Sequence, residues 1–308
     1  MATITITGGT GLVGSALTKK LAEKGHTVIV LTRKAKPSKG KLVYKEWNVE
    51  KGLIDQSAIT EADYIVHLAG ANVADGRWTE KRKKEIIDSR VKSGELLVKT
   101  LHAVSNKVRA VVSASAQGWY GADPRIPNPR PFVETDGADD QFLGKTSKLW
   151  EGAITPVAAI GKRLVIFRIG IVLSNEGGAY PEFKKPLQFG AATILGSGKQ
   201  VVSWIHIDDL VRLFTTAIEN EQWQGIYNAV APNPVPNREL ILQIARQRGR
   251  FYLPLHVPAF ALKAALGEMI TEVLKSTTVS SQKAETAGFQ FRYPTIDKAV
   301  AALFHYSR

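Results

Sequence analysis

Residues 3–14 read TITITGGTGLVG, and this stretch decides the fold. Five alternating β-branched residues (Thr3, Ile4, Thr5, Ile6, Thr7) break into Gly8, Gly9, Thr10 and Gly11, and apolar residues then recur with helical period from Leu12. Gly9, Gly11 and Gly14 carry the G-x-G-x-x-G spacing between a strand and a helix, the setting in which that spacing marks a dinucleotide site. In this reading Gly9 makes the tight turn, Gly11 leaves bare backbone beside a pyrophosphate, and Gly14 lets the helix approach the sheet. The helix start, with Thr10, Leu12 and Val13, adds unpaired amides and the positive end of the helix dipole.

Working outward, a helix over 12–24 leads to an apolar strand over 27–31, as a buried parallel sheet requires. The residues just past that strand select the cofactor. An acidic residue there would hydrogen-bond the ribose 2′-hydroxyl of NAD, but the chain has Thr32, Arg33 and Lys34, with no carboxylate before Glu46. Cations at this place suit a 2′-phosphate, so NADP is the expected cofactor. Strands over 42–47 and 64–68 continue the alternation, and the second, closing on Leu68, ends in Ala69, Gly70 and Ala71, small enough for a ligand to approach the backbone. A helix over 78–102 presents Arg90, a strand over 108–113 opens into Ser113, Ser115 and Tyr120, and a strand over 162–167 leads to Arg168. Leu68, Ala69, Gly70, Arg90, Ser113 and Arg168 complete the expected cofactor shell, and Ser115 and Tyr120 are the candidate catalytic hydroxyls.

After Leu173 the strand–helix rhythm fails. A helix over 141–160 precedes that point; beyond it come a short helix over 181–189, a strand over 200–207, and helices capped by Asp208 and Asn237. The fold class expected is α/β, a Rossmann-type doubly wound parallel sheet with a smaller, mainly helical C-terminal substrate lobe. Residues 1–173 form the first part, 200–230 return to it, and 174–199 with 231–308 form the lobe.

Composition narrows the function. The 308 residues are 44% hydrophobic and 22% charged, ordinary for a soluble globular chain. Without cysteine there is no disulfide, thiolate nucleophile or thiolate metal site. The 6 histidines show no metal-binding spacing, so no metal is expected. No apolar run is long enough to span a membrane, and a strand beginning at Thr3 leaves no room for a signal peptide. A cytoplasmic protein without a membrane partner is expected. The net charge of +13 suits an anionic partner. Yet the densest run, Lys81 to Lys84, lies on a helix without interleaved aromatics and reads as a solvated face rather than a nucleic-acid site. Nothing in the sequence sets the oligomeric state.

These pieces together resemble the extended short-chain dehydrogenases/reductases, and more closely the atypical "epimerase family protein" branch, NAD-dependent epimerase/dehydratase-like. The resemblance rests on TGGTGLVG, HLAG, Ser89-Arg90, Ser115 through Tyr120-Gly121 and Trp150-Glu151. It continues through Arg168 to Leu173, Gly177-Gly178, Gly196 to Gln200, Ser203 to Ile207, Ala231 to Val235, Gly267-Glu268 and Gly288-Phe289, almost the whole chain. It implies a Tyr-x-x-x-Lys acid/base pair on the helix after the serine strand. With Glu151 in register, Leu143 stands where Tyr belongs and Ser147 where Lys belongs, flanked by Lys145 and Lys148. No tyrosine occurs between Tyr120 and Tyr180.

Two readings remain open. The first is an NADP-dependent oxidoreductase or epimerase-like enzyme acting on a small polar substrate, carbonyl or sugar-like, with Ser115 on the reacting oxygen and Tyr120 or water supplying the proton. The alternative is a non-catalytic NADP(H)-binding sensor or regulatory module.

Overall fold

In the computed structural model, which describes residues 1–34 and 36–305, the opening stretch forms β1 (Thr3–Thr7) and α1 (Leu12–Glu23) around the glycine turn. Ile4 and Ile6 of β1 pack into a core with Leu17 and Leu21 of α1. The intervening Thr5 and Thr7 are buried too, and Thr5 Oγ1 donates to the Ala58 carbonyl at 2.6 Å. The chain continues through β2 (Thr27–Thr32), β3 (Leu42–Asn48), β4 (Leu53–Ile54), α2 (Ser57–Thr60), β5 (Tyr64–His67) and α3 (Glu80–Ala103). Next come β6 (Ala110–Ala116), α4 (Phe142–Ile154), α5 (Pro156–Ala159), β7 (Arg163–Ile169), β8 (Ile171–Ser174), β9 (Gly177–Gly178), α6 (Ala179–Lys184) and β10 (Ala191–Leu195). The remainder is β11 (Val201–Val202), β12 (Trp204–His206), α7 (Ile207–Glu219), β13 (Gly225–Ala229), β14 (Val235–Pro236), α8 (Asn237–Gln247) and β15 (Leu253–Val257). It closes with α9 (Ala259–Leu266), α10 (Ile270–Leu274), α11 (Gln282–Thr286) and α12 (Ile296–His305).

Eight strands make one sheet in the order β13-β7-β6-β5-β1-β2-β3-β4, parallel except where β4 turns back on β3. This is the doubly wound α/β sheet expected. The chain leaves β1 toward β2 and β3, then returns to β5 on the other side. That reversal between β1 and β5 opens a crevice at the carboxyl ends of the strands, where such sheets bind ligands. Leu210, Leu213 and Phe214 of α7 share the core with α1 on one face. Leu97 and Leu101 of α3 cover the other with Ile154 and Val157. A second core joins Leu173, Tyr180, Ile194 and Trp204 to Leu240 and Ile244 of α8 and Val300 and Leu303 of α12. β13 returns to the main sheet beside β7.

Several local expectations change. The helix expected over 141–160 breaks after Ile154, since Pro156 lacks the amide that would continue it. The strand expected over 200–207 splits: β11 pairs antiparallel with β14, and β12 pairs parallel with β8. Asp208 is not the cap of α7; His206 is, its Nδ1 accepting the Asp208 amide at 3.1 Å. Asn237 does not cap α8 either, because its Oδ1 accepts the Leu195 amide at 3.0 Å and ties β10 to the helix. β15, a strand among expected helices, exists because β10 pairs with it.

Candidate functional site

The crevice is built on glycine. Gly8, at φ +68°, takes the left-handed turn expected of Gly9, and a Cβ there would stand 2.7 Å from the Leu68 carbonyl at the end of β5. Gly9 instead packs on Val30 of β2, 2.8 Å from where its Cβ would be. A Cβ on Gly14 would fall 2.2 Å from the Gly8 carbonyl, so α1 presses on the turn itself. Thr10 and Gly11 stay exposed, and Gly11 begins α1 with no side-chain cap. The first amides of α1, those of Leu12, Val13 and Gly14, are therefore open to an anion, as any uncapped helix start leaves them. Across the crevice, Gly178 comes within 3.3 Å of the Leu12 side chain, measured from its would-be Cβ, bringing the β8–β9 hairpin over the start of α1. These features fit a dinucleotide: bare backbone, free amides and a covering hairpin.

At the end of β2, Thr32 is half-buried while Arg33 and Lys34 are exposed, with no carboxylate partner among the described residues. At the end of β5, Thr7 Oγ1 accepts the Leu68 and Ala69 amides at 3.1 and 3.3 Å and bonds His67 Nδ1 at 2.9 Å. Burial pushes the His67 imidazole down to about 4, so it is neutral near pH 7. Gly70 is exposed, and Arg90 braces it from behind. Arg90 donates to the Ala71 and Ile86 carbonyls at 3.0 and 2.9 Å and lies 4.8 Å over the Trp150 ring. Its guanidinium thus shapes the loop rather than facing a ligand. Ser113 is likewise enclosed within β6, its hydroxyl on the Ala114 carbonyl.

The two hydroxyls expected to be catalytic are sealed. Ser115 is 2% exposed and Tyr120 0%. Ser115 Oγ donates to Glu151 Oε1 at 2.7 Å, and Glu151 grips Arg168 with both oxygens, at 2.8 and 3.0 Å. Arg168 Nη1 donates to the Tyr120 hydroxyl at 3.1 Å, and that hydroxyl donates to Asn228 Oδ1 at 2.6 Å. Trp119 stacks on the Arg168 guanidinium at 3.6 Å. Arg168 is therefore committed to this network and does not reach into the crevice. Burial pushes the Tyr120 phenol up to about 12, the wrong direction for a proton shuttle, although Arg168 and Asn228 oppose it. Position at a strand end made these residues candidates; their partners, far away in sequence, carry no local signature.

Beside this network lies a cavity of about 240 Å³ lined by Trp78, Gln141, Phe142, Glu268, Thr271 and Glu272. Leu143, one residue beyond Phe142, packs on Gly118 of the turn after β6. Glu272 was missed by sequence reasoning because α10 carries no motif. Its Oε2 pairs with Lys275 Nζ at 2.7 Å, and Lys275 also donates to the Tyr120 carbonyl at 3.1 Å. Burial pushes the Glu272 carboxyl above its ordinary value, Lys275 opposes this, and Asp139 adds to it. Among the described residues, two further buried acceptors in this neighbourhood, Gln117 Oε1 and Asp139 Oδ2, have no partner. His206, 1% exposed, caps α7 and lies 4.0 Å from the Tyr293 ring. No group of three His, Asp or Glu among the described residues is placed to hold a metal.

Known proteins resemble this chain over nearly its whole length. Residues 4–141 match the NAD dependent epimerase/dehydratase family, and residues 257–303 match a domain of unknown function, DUF1731. Epimerase family protein YfhF of Bacillus subtilis is 35% identical over 97% of both chains. The human epimerase family protein SDR39U1, solved with NADPH, superposes with a TM-score of 0.85 at 27% identity, covering 98% of this chain and 99% of that one. A nucleoside-diphosphate sugar epimerase of Corynebacterium glutamicum is 33% identical with a TM-score of 0.78, and the match covers 99% of this chain but 58% of that one.

Proposed function

Because the chain belongs to the epimerase family, with the NAD-dependent epimerase/dehydratase fold, we propose that it binds NADP(H) in the β1–β5 crevice and acts as an oxidoreductase or epimerase on a small polar substrate bearing a carbonyl or hydroxyl. The observation that carries this reading is the glycine turn, where Gly8 and Gly14 close on each other and leave Thr10, Gly11 and the α1 amides bare. Arg33 and Lys34 at the end of β2 support the phosphorylated cofactor over NAD, as does the human relative solved with NADPH. When bound, the nicotinamide supplies or accepts hydride.

The chain's own groups do the rest. The glycine turn and helix amides hold the pyrophosphate, and Arg33 with Lys34 pairs with the 2′-phosphate. The hairpin at Gly177 and Gly178 covers the crevice near Leu12. With Ser115 and Tyr120 enclosed, the group we assign to the proton on the substrate oxygen is Glu272, whose carboxyl lines the cavity beside Phe142 and is pushed up by burial against the opposing charge of Lys275.

A charge-assisted contact to the 2′-phosphate contributes about 1.5–3 kcal/mol, or roughly ten- to a hundredfold in affinity. Calorimetric titration is expected to show NADPH binding tighter than NADH by that margin, and Arg33→Asp to abolish the difference. Equal wild-type affinities refute the assignment. Stopped-flow oxidation of bound NADPH across small aldehydes, ketones and keto-sugars tests the chemistry, with Glu272→Gln expected to slow turnover at unchanged NADPH affinity. Tight binding without turnover on any compound favours the second reading, a non-catalytic NADP(H)-binding module, which the burial of Ser115 and Tyr120 supports.

A further inference from the structure

Residues 251–265 read FYLPLHVPAFALKAA, with one lysine, one histidine and no carboxylate. Such a stretch is expected inside a protein, yet here much of it lies outside, only Leu262 being buried. Phe251 is 81% exposed, Leu253 54%, Leu255 49% and Phe260 77%. Phe189, at 89%, lies alongside, because the Leu253 amide donates to the carbonyl of its neighbour Gly190 at 2.8 Å. Leu253 and Leu255 share one face of β15. Pro254 and His256 are exposed as well, although their register partners Ala192 and Ile194 on β10 are fully buried. β15 therefore overhangs the core, pairing with β10 on one edge only. Proteins usually blunt such an edge with charge, and contiguous exposed apolar surface marks a place of contact.

We propose that this face, formed by Phe189, Phe251, Leu253 and Leu255 and followed along the chain by the exposed Phe260, with arginines and a lysine next to it in sequence, adsorbs to an anionic lipid surface. These cations decide between occupants. Arg246, Arg248 and Arg250 run into Phe251, and Lys263 follows Phe260 one helical turn on. None of the four has a carboxylate partner among the described residues. Lys184 adds to the group: burial lowers its pKa first, and the charge of Arg248 lowers it further. A second copy of a chain of net charge +13 would set these cations against their own kind. An anionic bilayer instead offers opposite charge at the headgroups and hydrocarbon just beneath, matching exposed phenylalanines with cations next to them in sequence. No helix among the described residues is long and apolar enough to cross a membrane, and adsorption requires none.

Cosedimentation of the full chain with vesicles tests this, using phosphatidylcholine alone against an equal mixture with phosphatidylglycerol. The wild-type chain is expected to pellet with the mixed vesicles at least about tenfold more readily, since each cation near an anionic leaflet contributes roughly fivefold. Phe251→Glu with Phe260→Glu is expected to lower that partition by about tenfold or more. NADPH affinity, unchanged in the variant, verifies that it folds. Reversing exposed cations elsewhere, Lys19→Glu with Lys20→Glu, is expected to have a smaller effect than Arg246→Glu with Arg250→Glu. Equal loss from both pairs attributes binding to overall charge and overturns the proposal, as does failure to distinguish the two vesicle types. Sedimentation velocity showing a dimer that the Phe251→Glu, Phe260→Glu variant dissociates also overturns it, making the face a subunit interface.

Discussion

At His67 one imidazole links the strands on either side of the crevice, bonding Thr7 at the end of β1 through Nδ1 while Ser93 of α3 lies 3.5 Å from Nε2. The ring is fully buried and must be uncharged to stay there. The unfolded imidazole takes up a proton below 6.5, whereas the folded one resists until about 4. The unfolded state therefore binds the proton first as pH falls, so this group's stabilisation is present above 6.5 and is lost on the way down to about 4. The full displacement contributes about 3 kcal/mol. Urea unfolding at a series of pH values is expected to show a steeper acid loss for wild type than for His67→Gln, whose amide cannot titrate. Parallel curves for the two proteins would show that His67 carries no such linkage.

At the level of elements, the ion pair between Glu151 and Arg168 joins α4 to β7 and sets how the helix lies across the sheet. Both side chains are buried, and the pair is forked, with Ser115, Tyr120 and the Glu134 carbonyl accounting for further donors and acceptors. A buried pair of this kind adds little net stability over an apolar replacement, but removing one partner strands the other charge. Glu151→Gln is expected to destabilise the fold by about 3–5 kcal/mol in urea titrations. The double variant Glu151→Leu, Arg168→Met is expected to recover much of that loss. A Glu151→Gln cost below about 1 kcal/mol would mean that water, rather than Glu151, satisfies Arg168. Tyr120→Phe leaves Asn228 Oδ1 and Arg168 each short of one bond, a smaller change within the same network.

Across the whole molecule, the segment after β5 clasps the C-terminal helices over the cavity. Arg77 donates to the Ala264 carbonyl, and Lys83 pairs with Glu268. The basic run that dominates the sequence is thereby largely neutralised at close range: Arg82 meets Glu85 at 2.7 Å, Lys83 meets Glu80 at 2.9 Å, and Lys84 meets Asp88 at 2.6 Å. These contacts are exposed, so they govern local opening more than global unfolding. Arg77→Ala with Lys83→Ala is expected to speed amide hydrogen exchange through α9 and α10 while leaving the urea midpoint unchanged. Unaltered exchange there would show that packing alone holds the helices over the cavity.

The sequence by itself determined the sheet and the glycine turn at the end of its first strand. A period of two in β1, helical period from Leu12 and glycines at positions where a Cβ collides are local facts, written within a few residues of one another. Even there the left-handed turn moved from Gly9 to Gly8, because the spacing counts residues while the turn depends on how β1 meets Leu68 of β5. Only the tertiary structure decided what the polar groups do. Ser115 meets Glu151 36 residues on, and Tyr120 meets Asn228 108 residues on. Glu272 reaches the cavity from a helix with no motif at all. Hydrogen bonds between such distant residues leave no periodic trace, and a hydroxyl at a strand end looks the same in sequence whether it faces a ligand or a buried carboxylate.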